Sequence, residues 1–162
     1  DQIDVTKWTA APLRLTLSVM LNAQPNVIFF TLSDPETMCQ IFKWMHSVTV
    51  TSSSRNIEQS VGSLRICTLD NGLILEEEVI DWQPPYGFSC QGIDATHPFG
   101  MSGHVSVLSI APCFCGCRLT WQHYFNHSNV PAMCSQLEQN MTAAIESLLN
   151  RFGGRPVLCP GM

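Results

Sequence analysis

The sequence predicts an α+β fold in which an antiparallel sheet packs against one long C-terminal helix. Six runs of alternating apolar and polar residues follow one another between residues 46 and 126, and short stretches of turn-forming residues separate them. Apolar residues then recur at steps of three and four along the last part of the chain. Strands joined by such short connections pair antiparallel, and their sheet is the partner available to the helix.

The first elements are one strand and two short helices. Apolar residues alternate with other residues from position 13 to position 20, which is typical of a half-buried strand. Pro25 can open a short helix. Ser33 or Asp34 can cap a second helix that begins at Pro35. One face of this second helix carries the apolar residues Met38, Ile41, Phe42 and Met45.

Six strands follow the helices. Asn71-Gly72 connects two of them, and Asn-Gly is the strongest short hairpin signal because both central residues of the turn need a positive φ. Pro84-Pro85 and the segment 112–116 supply further breaks. With the first strand, these runs make a sheet of about seven strands. The six runs are HSVTVTSS, SVGSLRICTL, LILEEEVIDW, YGFSCQGI, SGHVSVLSI and CRLTWQHYF.

The last element is a helix of about 20 residues. Asn129 can cap it, Pro131 fits its first turn, and a Gly-Gly pair ends it. We expect a single domain over residues 11–153 and an irregular tail with two prolines over residues 154–162. The apolar stripe of the helix comprises Met133, Leu137, Met141, Ala144, Ile145, Leu148 and Phe152.

Composition and charge exclude several classes of function. The chain has 162 residues, a formal net charge of -5 and only 8 Lys plus Arg, so we predict no nucleic-acid partner. Charged residues make up 13% and apolar residues 45%, which indicates extra internal surface or a sticky exterior. No apolar run reaches the ~18 residues of a membrane span, and no signal-peptide pattern is present. We expect a cytoplasmic protein, although the start at Asp1 leaves open whether a leader was removed.

Eight cysteines raise the question of disulfides, redox chemistry or a metal site. Cys67 and Cys90 lie in apolar alternating stretches, where a free thiol acts as a small hydrophobe. We therefore expect mostly buried, reduced thiols rather than a disulfide framework. Cys113, Cys115 and Cys117 are spaced C-x-C-x-C, without the second paired unit of a structural zinc site. A metal site and a labile thiol are the alternatives here, but we predict a hairpin turn, no metal and no cofactor.

Three stretches are similar to the START-like, or SRPBCC, superfamily, which includes polyketide cyclases and lipid-transfer domains. They are a glycine-led strand with an arginine three positions on (VGSLRI, 61–66), an acidic strand ending in a proline turn (EEVIDWQPP, 77–85) and a glycine turn into the last strand (GCRLTW, 116–121). The order of elements resembles the same superfamily. The resemblance implies a helix-grip fold, a curved antiparallel sheet wrapped around the last helix with a cavity between them. It includes no catalytic signature, so it transfers no active-site residue.

The acidic strand holds the first candidate for chemistry. Alternation places Glu77 on one face with Leu75 and Val79. The other face carries Glu76, Glu78, Ile80 and Trp82. If the first face lines the cavity, Glu77 is a polar anchor for a ligand or half of an ion pair with Arg65, because a buried carboxylate needs a partner. The alternative is that these acids are solvated on the outer face of the sheet.

The last strand holds the second candidate. Its more apolar face, which we expect to turn toward the helix, comprises Leu119, Trp121, His123 and Phe125. His104, on the preceding strand, can reach the same cavity. Histidine changes charge readily near neutral pH, so His123 and His104 are candidate general acids or bases. The alternative is that each is a hydrogen-bonded core residue.

Two functions follow from these observations. The first is a binding module for a hydrophobic small molecule, a lipid or a polyketide-like compound, in a cavity of typically ~300 to 1,000 Å3. The predicted ligand-binding residues are Trp121, Leu119, Phe125, Met133, Leu137, Met141, Phe88 and Arg65. The alternative is a polyketide cyclase or dehydratase with His123, His104 and Glu77 as proton-transfer groups. A homodimer is left open as a further partner state, and a purely structural interaction protein is disfavoured because such a sheet leaves a cavity.

Overall fold

The computed structural model describes residues 3–51 and 59–157, and it confirms the predicted α+β fold. In this part of the chain, eight strands form one antiparallel sheet in the order β2-β3-β4-β5-β6-β7-β1-β8. The elements are β1 (Leu13–Leu21), α1 (Pro25–Ser33), α2 (Pro35–Ile41), β2 (Met45–Thr51), β3 (Leu64–Leu69), β4 (Ile74–Gln83), β5 (Gly87–Gly92), β6 (Ser102–Cys113), β7 (Gly116–Asn126), α3 (Val130–Phe152) and β8 (Gly154–Pro156).

The helices begin where capping residues predict. The Asp34 carboxylate accepts a hydrogen bond from the Thr37 backbone N–H at 3.1 Å, and α2 begins there. The Asn129 side chain accepts from the Ala132 backbone N–H at 3.3 Å at the start of α3. The turn between β3 and β4 lies where the Asn-Gly pair predicts it, and Gly72 has a φ of 85°, but Asn71 does not have the positive φ that the signal also requires. Local cap chemistry therefore sets the starts of α2 and α3, whereas α1 begins at Pro25 without a side-chain cap.

One face of the sheet packs against the three helices and forms the main core. The stripe of α3 is confirmed, since Met133, Leu137, Met141, Ala144 and Leu148 are buried. Each fully buried side chain of the size of leucine contributes about 1.5–3 kcal/mol relative to its exposure. The stripe therefore fixes α3 against the sheet, and the space between them is where a ligand site can form.

The prediction of an irregular tail from residue 154 is wrong at its start. Strand β8 pairs with β1, with Arg155 opposite Met20 and Gly154 opposite Leu21, and it raises the strand number from seven to eight. A Cβ on Gly154 would overlap the carbonyl oxygen of Met20, so this close pairing requires glycine. The prolines of the tail argue against a central strand, but β8 lies at the sheet edge, where proline is tolerated. Residues 158–162 lie outside the described part of the chain.

A second, smaller core lies on the opposite face of the sheet. The residues before β1, which the predicted domain start at residue 11 leaves out, pack there. Thr9 Oγ1 donates a hydrogen bond to the carbonyl oxygen of Gly103 at 2.7 Å and holds this segment to β6. The apolar contacts join Ile3, Val5 and Trp8 to Ile80, Val105, Val107 and Tyr124.

A β-bulge in β4 changes which side chains face the main core. The register between β4 and β5 shifts between Val79 and Asp81. Before the bulge, Glu77 lies on the inner face, as its grouping with apolar residues allows. After the bulge, Trp82 also packs inward, with its ring centroid 4.9 Å from that of Phe29. The prediction that Trp82 lies on the opposite face from Glu77 is wrong, because one extra residue reverses the later side chains.

Candidate functional site

A cavity of about 70 Å3 lies between the main-core face of the sheet and the helices. Side chains from all three helices, from β2 to β7 and from the loop between β5 and β6 line it. The structure brings most of the predicted site residues together in this wall. Those that line it are Arg65, Glu77, Phe88, His104, Trp121, His123, Leu137 and Met141.

Three predicted ligand-binding residues do not line the cavity. Leu119, Phe125 and Met133 are buried in the main core instead. Alternation identifies the correct face of β7 for Leu119 and Phe125, but it carries no information on where along the strand the cavity lies. The cavity reaches only the middle of β7, where Trp121 and His123 lie.

Flexible and aromatic residues that the sequence did not single out complete the wall. Four methionines line the cavity, namely Met38, Met45, Met101 and Met141, of which only Met141 was a predicted site residue. Phe42, Trp44 and Phe99 add aromatic surface. Several of these lie in loops or at the ends of elements, where no periodicity marks a buried side chain. Met38, Phe42 and Met45 lie on the predicted apolar face of the second helix, but that pattern indicates burial and does not mark a cavity.

Three histidines form a hydrogen-bonded row at one end of the cavity, and we call His97, His104 and His123 the histidine relay. His97 Nε2 lies 2.9 Å from His104 Nδ1, and His104 Nε2 lies 3.1 Å from His123 Nδ1. All three side chains are buried. The relay joins the loop after β5 to β6 and β7, and the sequence did not reveal His97 because it lies in that loop.

The backbone fixes the direction of every hydrogen bond in the relay. The Phe99 backbone N–H donates to His97 Nδ1 at 3.2 Å, so in the neutral ring the hydrogen is on His97 Nε2. His97 then donates to His104, and His104 donates to His123. The last hydrogen is on His123 Nε2, which is buried and has no hydrogen-bond partner in the described structure.

Burial keeps the relay uncharged near neutral pH. Burial lowers the pKa of His123 to about 4. The pKa of His97 is also lowered to about 4 by burial, although the Asp94 carboxylate opposes this shift. Burial and the two neighbouring imidazoles lower the pKa of His104 well below its ordinary value. Neutral rings are the condition under which the direction of the relay holds.

A buried arginine and a buried glutamate lie on neighbouring strands of the same wall. Arg65 in β3 is directly opposite Glu77 in β4. The guanidinium donates to Cys90 Sγ at 3.1 Å and to Met38 Sδ at 3.0 Å, and its Nε has no hydrogen-bond partner within residues 3–51 and 59–157. Sulfur is a weak acceptor, so the cation is poorly satisfied by these contacts. Burial raises the pKa of Cys90 to about 12, so its thiol stays protonated.

The cysteine-rich segment is a hairpin turn away from the cavity, as predicted. Cys113 ends β6 opposite Gly116 at the start of β7, and the exposed Phe114 and Cys115 form the turn. Gly116 is needed less for the predicted bend than for close packing, because a Cβ there would overlap the carbonyl oxygen of Leu21. Among the described residues, no group of three or more His, Cys, Asp or Glu side chains has an arrangement that could hold a metal ion.

A family model described as polyketide cyclase / dehydrase and lipid transport matches residues 12–153. The chain belongs to this family. The resemblance to the START-like superfamily that the sequence suggested is thereby confirmed.

Solved structures share the fold of this chain. Protein MLL2253 from Mesorhizobium loti is 16% identical, with a TM-score of 0.68 over 85% of this chain and 96% of that chain. XoxI from Bacillus cereus is 11% identical, with a TM-score of 0.70 over 85% and 94%. A protein from Thermobifida fusca is 20% identical, with a TM-score of 0.65 over 86% and 92%. At these identities the similarity establishes the fold alone, and no curated protein matches the chain.

Family membership supports a ligand-binding or cyclase-like role. Among the described residues, no helix is long and apolar enough to cross a membrane. The chemistry of the site therefore depends on what the wall of the cavity offers to a small molecule.

Proposed function

We propose that the protein binds a hydrophobic small molecule, a lipid or a polyketide-like compound, in the cavity between the sheet and α3. The composition of the cavity wall supports this most directly. Aromatic and methionine side chains surround the cavity, and two polar atoms of lining residues, Arg65 Nε and His123 Nε2, are buried without a partner in the described structure. Buried polar groups in proteins are almost always hydrogen-bonded, so a ligand with acceptors would complete this wall.

The ligand displaces flexible side chains as it enters. A volume of about 70 Å3 is well below the range expected for such cavities and holds only a few water molecules. Methionine has three rotatable bonds and fills irregular gaps at little cost. Met38, Met45, Met101 and Met141 line the cavity, and in this proposal their rotation makes room for the ligand.

Arg65 is the charged anchor for the ligand in this proposal. Its guanidinium is always protonated and contacts two weak sulfur acceptors and the ring of Phe88, 5.4 Å from the ring centroid. An oxygen of the ligand is a stronger acceptor than either sulfur. Glu77 across the strand pair balances the charge, and hydroxyl groups of a ligand can donate to it.

Methionine methyl groups provide an internal test of this proposal. The protein is labelled with 13C at the methionine methyl groups and titrated with lauric acid and with acetophenone. We expect the signals of Met38, Met45, Met101 and Met141 to shift with at least one probe. Met20 and Met133 serve as controls, because they do not line this cavity. Absence of any shift at the four cavity methionines with both probes would contradict the proposal.

The alternative function is catalysis of a cyclisation or dehydration. The convergence of His104, His123 and Glu77 on one cavity favours it. The lowered pKa of His123 weighs against it, because an imidazole with a pKa of about 4 is a weak base near neutral pH. The alternative predicts turnover of a linear poly-β-ketone, and unchanged turnover in His123→Ala would remove His123 as the catalytic group.

Two further expectations belong with this proposal. A cytoplasmic location stays a prediction that cell fractionation would test, and a homodimer stays the open alternative that light scattering would test.

A further inference from the structure

We propose that the ligand carries an uncharged carbonyl oxygen that accepts a hydrogen bond from His123 Nε2, and that His97 and His104 are positioning residues for this donor. This inference rests on the proposed binding function and specifies the chemistry of the ligand. It starts from one atom of a cavity-lining residue, the His123 Nε2–H, which is buried and has no partner in the described structure.

The relay leaves His123 one role only. Its Nδ1 accepts from His104, which accepts from His97, which accepts from the backbone N–H of Phe99. A backbone N–H cannot act as an acceptor, so the row cannot reverse while the rings are neutral. His123 Nε2 therefore donates a hydrogen bond and has no free lone pair. A hydroxyl or amine hydrogen of a ligand finds no acceptor at this atom.

An uncharged acceptor fits this donor better than a charged one. A buried N–H without a partner costs the free energy of its lost hydration, and any well-placed acceptor recovers part of that cost. A carboxylate at this position would lose its hydration and gain only one neutral donor. The cavity already contains a cation for an acidic group, at Arg65 on a different part of the wall. A ketone, ester or amide oxygen matches a single neutral donor.

Close packing by Gly92 and Trp121 holds the rings of the relay in position. Gly92 in β5 lies beside the hydrogen bond between His97 and His104. A Cβ at this position would lie 3.0 Å from His97 Cδ2 and 3.4 Å from His104 Nδ1. The His123 ring also stacks on Trp121, with centroids 6.2 Å apart and an interplanar angle of 19°. These contacts hold the position of the His123 ring before a ligand arrives, which reduces the entropic cost of binding.

A pair of probes with the same shape tests the inference. Acetophenone and α-methylstyrene differ in one position, where C=O replaces C=CH2. Affinities are measured from the methyl signals of the cavity methionines. We expect wild-type protein to bind acetophenone about 3- to 10-fold more tightly, as one net hydrogen bond provides. In His123→Phe this preference should disappear, and in His46→Gln, whose side chain is exposed on β2, it should remain.

The outcomes separate this inference from the proposed function. Equal affinity of the two probes for wild-type protein would overturn the inference and leave hydrophobic binding intact. Failure of both probes to bind would contradict the binding proposal and the inference together. Persistence of the preference in His123→Phe would place the donor elsewhere and overturn the role of the relay.

Nitrogen NMR on wild-type protein tests the relay without any substitution. In protein labelled with 15N-histidine at pH 7, we expect His97, His104 and His123 all to carry their hydrogen on Nε2. Acetophenone should shift the Nε2–H signal of His123 more than α-methylstyrene does. A hydrogen on His123 Nδ1 would overturn the inference.

Two substitutions at the start of the relay test the positioning role. His97→Gln keeps a donor for His104 and an acceptor for the Phe99 N–H, so the probe preference should survive. His97→Phe removes both groups, and the preference should fall together with the Nε2–H signature of His123. Equal probe preference in the two variants, with both folded, would show that His97 positions nothing.

Discussion

Arg65 and Glu77 show how much a pattern of single residues can establish. Their positions on neighbouring strands put them opposite each other, and the structure buries both in the same cavity wall. The sequence left open whether Glu77 faces the cavity or the outside, because alternation groups side chains without saying which group is inside. The hydrogen bonds of the Arg65 guanidinium go to Cys90 and Met38 rather than to Glu77, so both charged groups keep hydrogen-bonding capacity for a ligand.

A double-mutant cycle measures the interaction between the charges of Arg65 and Glu77. Arg65→Met leaves a buried carboxylate without its nearest cation, and Glu77→Gln leaves the guanidinium without its anion, so each change should destabilise the fold by about 1–3 kcal/mol. The double variant should lose less free energy of unfolding than the sum of the two single losses, with a coupling of about 1 kcal/mol. Urea unfolding at pH 7 provides the free energies. Strict additivity would show that the two charges do not interact.

The histidine relay marks the limit of residue-level prediction. His104 and His123 were identified because each lies on an alternating strand. Both are buried and hydrogen-bonded, as the alternative of core histidines predicts, and their role as acids or bases stays a prediction. His97 was not identified, because its loop has no periodicity. The hydrogen bond that sets the direction of the relay comes from the backbone N–H of Phe99. A backbone contact of this kind cannot be predicted from a pattern of side chains.

At the scale of elements, the sequence predicts best where two signals agree. Strands β2 to β7 combine alternation with turn residues, and α3 combines a stripe with a capping residue, so their positions were confirmed within a few residues. Strand β8 has three residues, too few for a periodic pattern, and its existence depends on the close approach of Gly154 to β1. The bulge in β4 also escaped prediction, because it is defined by pairing with β5 rather than by local composition.

Gly92 links the geometry of one strand to the site. Gly92→Ala places a methyl group 3.0 Å from the His97 ring, which forces the ring or the strand to shift. We expect a loss of stability of about 1–3 kcal/mol, as for other overpacked sites, and changed 15N signals for His97 and His104. Gly72→Ala is the control, since a Cβ there meets no atom within 4 Å, although its positive φ adds backbone strain. Unchanged relay signals in Gly92→Ala would show that β5 does not support the relay.

At the scale of the whole molecule, the buried histidine relay beside the cavity makes the stability of the fold depend on pH. The groups that influence the relay are Asp94 and His127 beside His97, while Arg65 and Glu77 line the same cavity. The folded relay resists protonation because burial opposes charge, whereas exposed imidazoles in the unfolded chain bind protons near pH 6.5. A histidine whose pKa is lower in the folded than in the unfolded state makes the fold less stable as the pH falls below the pKa of the unfolded state.

The stability of the protein should therefore fall steeply between pH 7 and pH 5. His123, with a folded pKa of about 4, contributes a loss on the order of 2 kcal/mol over this interval, because only the unfolded chain takes up its proton. Above pH 7 this contribution is constant, since the ring is neutral in both states. His123→Phe should reduce the pH-dependent loss by about the same amount in urea unfolding curves, whereas the exposed His46→Gln should retain a larger loss. An identical pH dependence in wild type and His123→Phe would contradict a neutral, buried relay, and would remove the basis for a donor that keeps its hydrogen at neutral pH.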